Sequence, residues 1–179
     1  MTVNKINLQG DPSADLTINC DSETFRVHKY FLCSKSPVFR ARLERWEREG
    51  EININTMNSN TLSSMIHYIY TGKLVDGWQE LDILDLAKAA DKYDLAGWMK
   101  IFCSKLSFTE VPAEKVAEMI IAGSRYQDTA ARELRLGARN KIRERPGITE
   151  NQAFRDRLLK EFLADLWKKK SLYFPVEGN

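Results

Sequence analysis

The stretch Phe25-Arg26-Val27-His28-Lys29-Tyr30-Phe31-Leu32-Cys33-Ser34-Lys35-Ser36-Pro37-Val38-Phe39 decides how this chain folds. Phe25 and Val27 alternate with Arg26 and His28, the period of two of a half-buried strand, and the run passes directly into a helix. Ser36 followed by Pro37 opens a second helix: the serine hydroxyl caps free amides, and proline at the first helical position lacks only an N–H that has no partner there. Val38, Phe39, Leu43 and Trp46 continue at helical spacing up to Gly50, a natural stop. Upstream, Leu16, Ile18 and Cys20 alternate with Thr17 and Asn19, and Asp21-Ser22 supply a turn, so the two alternating runs form a hairpin.

Working outward, Ile52 and Ile54 mark a third short strand. Leu62, Met65, Ile66, Ile69 and Tyr70 form an apolar stripe on a helix that begins after Asn58 and ends at Gly72. After a loop containing Asp76-Gly77, residues Leu81 to Tyr93 are apolar on most sides, as in a central buried helix. Leu95 to Leu106 continues helical with Trp98, Ile101 and Phe102, and Phe108 to Pro112 breaks the pattern. Helices are then predicted from Ala113 to about Tyr126 and from Thr129 to about Arg145, where Pro146-Gly147 ends the second. The last helix carries Phe154, Leu158, Leu159, Phe162, Leu163, Leu166 and Trp167, ends in Lys168-Lys169-Lys170 as the helix dipole favours, and releases a tail from Ser171 to Asn179. An isolated helix of this length is marginal in water, so Phe154, Leu158, Phe162, Leu163 and Trp167 are expected to bury a face against the preceding helices.

With 179 residues, 43% of them hydrophobic, the chain has material for one compact domain with a helical extension. A net charge of +2 and 29% charged residues describe an ordinary surface, with no electrostatic pull toward nucleic acid or an anionic membrane. Cys20, Cys33 and Cys103 are widely spaced, which reads as free thiols in a reducing compartment and an intracellular protein, in the nucleus, the cytoplasm or both. Residues 1–12 lack the apolar core of a signal peptide, and no apolar run is long enough to span a membrane.

The chemistry of an enzyme is not visible. His28, at the strand–helix junction, reads as a hydrogen-bonding residue, and His67 as a solvent-exposed helix position. There is no CxxC pair, no HExxH and no glycine-rich phosphate loop, so neither a metal nor a cofactor is expected. Arg132, Arg135, Arg139 and Arg143 line one helix face. A solvated surface is the first reading, because Glu133 and Glu144 interleave and no aromatic residue accompanies the arginines; an acidic protein partner comes next, and nucleic acid last. Trp46, amid the mixed charges from Arg40 to Glu51, reads either as a core residue or as a partner anchor.

Asp15-Leu16, His28-Lys29, Ser36-Pro37-Val38-Phe39, Tyr70-Thr71-Gly72 and Ala90-Asp91-Lys92-Tyr93 occur in the order of a BTB/POZ domain, which residues 14–106 resemble. The resemblance implies an α/β fold: a short three-stranded sheet flanked by helices. Residues 107–170 resemble, more loosely, the BACK-like helical extension of speckle-type and Kelch-type proteins, leaving flexible termini at 1–13 and 171–179. Leu32-Cys33-Ser34, Arg132-Glu133-Leu134-Arg135 and the run from Ala153 to Phe162 are similar to those of compact fungal BTB proteins. The family implies a non-enzymatic protein-interaction module, often a homodimer, and in many members an adaptor joining a substrate to a cullin RING ubiquitin ligase; the alternative is an oligomerisation or transcription-associated scaffold without a ligase. The cullin-type surface maps to Phe39, Leu43, Trp46, Glu47 and Glu49, and Glu47 stands where the adaptors' hydrophobic-x-Glu motif has an apolar residue. Tyr173 and Phe174 in the tail are further candidate contacts for a client. Met1 to Ser13 is shorter than the segment that strand-exchanged dimers swap, so a monomer, or a dimer without strand exchange, is expected.

Overall fold

The structure, a computed structural model, describes the backbone of residues 11–45, 50–108, 110–126 and 129–173, and the side-chain surroundings of these except 107–108, 129–130 and 164–173. It divides into two compact units, Met1–Lys105 and Leu106–Asn179.

In the first unit, β1 (Leu16–Cys20) and β2 (Glu23–Val27) pair antiparallel, with Leu16 opposite Val27 and Cys20 opposite Glu23. The strand begins two residues earlier than its apolar pattern suggests, because Asp21 turns the chain with a φ of +52°. A third strand, β3 (Glu51–Asn53), lies parallel to β1 with Ile52 opposite Ile18, giving the order β2-β1-β3. Leu16, Ile18, Cys20, Val27, Ile52 and Ile54 are all buried. Between β2 and β3 the chain forms α1 (Lys29–Lys35) and α2 (Pro37–Arg45), packed on one another.

Helix α3 (Ser59–Thr71) has the ends its sequence calls for. Asn58 accepts a hydrogen bond from the Thr61 amide, and Gly72 takes the left-handed conformation that closes a helix without a Cβ penalty. The loop expected around Asp76-Gly77 contains a 3-10 turn, Trp78–Glu80, whose Trp78 packs edge-on against Phe102 at 5.3 Å. Helix α4 (Ile83–Lys92) starts after Leu81 because the Asp82 carboxylate accepts from the amides of Leu84 and Asp85. Helix α5 (Ala96–Phe108) follows, with Trp98, Met99 and Phe102 buried.

The second unit centres on α6 (Ala113–Arg125), flanked by α7 (Thr129–Glu144) and α8 (Gln152–Tyr173). Helices α6 and α7 approach closely at two glycines. A Cβ on Gly123 would come within 2.7 Å of Arg135 Cγ, and one on Gly137 within 2.7 Å of Met119 Cε. Pro146 opens a 3-10 turn, Pro146–Glu150, that buries Ile148 and leads into α8.

The expected burial of the α8 stripe is corrected. Phe154 is buried and Leu158 half-buried, but Leu159, Phe162 and Leu163 are exposed, Phe162 at 61%. The helix turns Phe154, Arg157, Leu158 and Glu161 inward instead, at spacings of three, four and seven. Ion pairs flank the apolar contacts on that face: Arg157 meets Glu118 of α6 at 3.4 Å, and Arg125 of α6 meets Glu161 at 2.7 Å. The side chain of Trp167 lies outside the described residues.

Candidate interaction surface

The motif residues converge on the interior. Ser36 is fully buried; its hydroxyl accepts from the Phe39 amide at 3.1 Å, capping α2, and donates to the Tyr93 carbonyl at the end of α4. Phe39 stacks on the Tyr93 ring at 4.5 Å. The serine-proline motif and the Ala90 to Tyr93 motif therefore form one joint.

A second joint holds the start of α1. The Asp15 carboxylate accepts from the Lys29 amide at 2.8 Å, and the Tyr70 hydroxyl accepts from the His28 amide at 2.7 Å. His28 Nδ1 lies 2.9 Å from the same hydroxyl and Nε2 2.9 Å from Ser13 Oγ, which donates to Asp11. These bonds hold the Asp11 carboxyl below its ordinary pKa, mainly through Ser13. His28 is thus the hydrogen-bonding junction residue its position suggests.

Of the residues assigned to a cullin-type surface, Phe39 and Leu43 are described, and both are buried. They lie four residues apart on the inner stripe of α2, so a partner reaches neither without opening the core. Trp46, Glu47 and Glu49 lie outside the described residues, as do Phe174 and the side chain of Tyr173.

An apolar surface does occur on α1 and α2, at Tyr30 and Phe31, which the sequence pattern left unassigned, and at Val38, which it placed in one spacing with Phe39 and Leu43. Tyr30 is 77% exposed, and Phe31 and Val38 also stand in solvent. Phe31 stacks on Tyr70 at 4.6 Å, and Tyr30 meets the edge of Phe31 at 5.8 Å, so the aromatic pair is braced from beneath. The available signal was angular: Leu32 is the buried residue of α1, and at about 100° per residue Tyr30 points to the opposite side.

His67 differs from its expected exposed position. It is half-buried, and desolvation lowers its pKa, partly opposed by Asp76. Its Nδ1 has no hydrogen-bond partner among the described residues. Cys20 and Cys103 are buried and Cys33 half-buried, none of the three in a disulfide, with burial raising the pKa of Cys20 and Cys33. Among the described residues no His, Cys, Asp and Glu cluster could hold a metal, and no helix is long and apolar enough to cross a membrane.

A sequence model of the BTB/POZ domain matches residues 3–127. BTB/POZ and MATH domain-containing protein 4 of Arabidopsis thaliana is 27% identical over 75% of this chain, and Protein maternal effect lethal 26 of Caenorhabditis elegans is 32% identical over 74%. TD and POZ domain-containing protein 5 of Mus musculus is 35% identical over 54%. This chain spans about a third of the length of these relatives, 33% of the first two and 29% of the third. Among solved structures, the BTB domain of human Gigaxonin aligns with 52% of this chain and 78% of its own, at 23% identity and a TM-score of 0.45. With the family match covering most of its residues, the chain belongs to the BTB/POZ domain family, a family of protein–protein interaction modules.

Proposed function

We propose that this chain is a BTB adaptor, with an interaction domain at 14–106 and a helical extension at 107–170, that self-associates through the outer face of α1 and α2 and joins a client to a cullin RING ubiquitin ligase inside the cell. The carrying observation is the braced aromatic pair: Tyr30 is 77% exposed beside Phe31, and tyrosine is among the residues that most often anchor protein interfaces. The ligase connection draws on the family resemblance and on relatives whose names pair POZ with a MATH or TD domain, since an adaptor needs one region for each partner.

A second reading, an oligomerisation scaffold without a ligase, is favoured by a specific observation. Phe39 and Leu43 are internal, and Glu47 brings a carboxylate to a position where the adaptor motif has an apolar side chain. Burying an unpaired carboxylate is costly. Calorimetry with a purified cullin N-terminal domain decides between them. The adaptor binds it in the micromolar range or more weakly, and Glu47→Met tightens binding; no heat from either protein rejects the ligase role in favour of the scaffold.

A further inference from the structure

We propose that the outer ridge of α7, formed by Arg132, Leu136, Arg139 and Arg143, is a docking surface for an acidic amphipathic helix of a protein partner. All three arginines are exposed, and none has a hydrogen bond or ion pair among the described residues. Leu136 stands between them, 43% exposed. The interleaved acids do not neutralise the ridge. Glu144 pairs with Lys141 at 3.7 Å, and the residues three or four positions from Glu133 are Thr129, Ala130, Leu136 and Gly137, none of them basic.

Arg135, the fourth arginine of the face, has a different task. It donates to the carbonyls of Gly123 and Tyr126 at the end of α6. Together with the close approach at Gly123 and Gly137, this fixes α7 on α6 and makes the ridge a prearranged platform. Arg135, Arg139 and Arg143 follow at intervals of four, an arrangement of like charges unfavourable to the helix alone and relieved by an anionic partner.

Spacing specifies the partner. Positions 132, 136, 139 and 143 step by four, three and four, the rhythm with which one helix seats against another. They extend about 16 Å along the axis, two turns and more of a partner helix. Such a helix presents an apolar side chain to Leu136 and carboxylates to the arginines on either side, with bidentate pairs available to each guanidinium. A nucleic acid fits less well, because the ridge carries no aromatic side chain and places a leucine where phosphates would run. The ridge belongs to a different helix from the α1–α2 face, and its test does not depend on that one.

The test is calorimetry on the full chain with a synthetic helical peptide of about 18 residues, carrying one leucine and glutamates at the four-three-four spacing. The controls are a scrambled peptide of the same composition and a short DNA duplex. The designed peptide is expected to bind at low salt, to lose about tenfold in affinity as salt rises to about 0.3 M, and to bind at least about fivefold more tightly than the scramble. Arg139→Gln with Arg143→Gln should cost about tenfold, and Leu136→Ala about threefold, with the melting temperature of each variant unchanged because these side chains support nothing in the fold. Absence of binding, equal binding of the scramble, affinity unaltered by the arginine substitutions, or tighter binding of the duplex would each overturn the proposal.

Discussion

Ser36 uses one hydroxyl twice, as cap for α2 and as donor to the Tyr93 carbonyl, without access to water. Ser36→Ala removes both bonds and leaves a buried acceptor short of a partner, so it is expected to lower stability by about 2 to 3 kcal/mol, measured by urea unfolding. His67 governs a different variable. Burial lowers its pKa below 6.5, so the unfolded chain takes up a proton more readily than the folded one. Its contribution is therefore harmless above about pH 6.5 and destabilising as the pH falls below that value. The melting temperature should drop on acidification from about pH 7.5 to about pH 5.5, and His67→Gln should reduce the drop. An equal drop in both proteins would exclude His67 as the cause.

Helix α8 shows where apolar periodicity misleads. Phe154 and Phe162 belong to the same predicted stripe, yet one is buried and the other 61% exposed. Phe154→Ala should therefore cost about 3 kcal/mol, whereas Phe162→Ala should leave the melting temperature nearly unchanged, a contrast that calorimetry resolves. The β1–β2 hairpin, the caps at Ser36 and Asn58 and the stop at Gly72 were legible because each follows from residues a few positions apart. The α8 orientation was not, because its inward face meets Glu118 and Arg125, 39 and 36 residues from their partners in sequence, and no local spacing shows those contacts. The 3-10 turn at Trp78 was hidden for the same kind of reason, since Phe102 holds it. Among the candidate site residues, Phe39 and Leu43 were legible as helix positions, but their spacing alone did not say which side of α2 faced the core.

For the molecule as a whole, self-association is the property that the α1–α2 face predicts. Light scattering at tens of micromolar should show a dimer, and Tyr30→Ser combined with Val38→Asp should return it to a monomer that still unfolds cooperatively, with a melting temperature no longer dependent on protein concentration. A monomeric parent, or a dimer indifferent to these changes, would move the interface elsewhere. The joint between Ser36 and Tyr93 has a genetic counterpart. A lesion there strikes the scaffold, so the cell loses the protein by degradation and every association fails at once. A lesion at Tyr30 or Arg139 leaves a full complement of folded chains with altered company. Alleles of the first kind should behave as recessive losses of abundance. Those of the second kind can interfere with the product of a healthy copy.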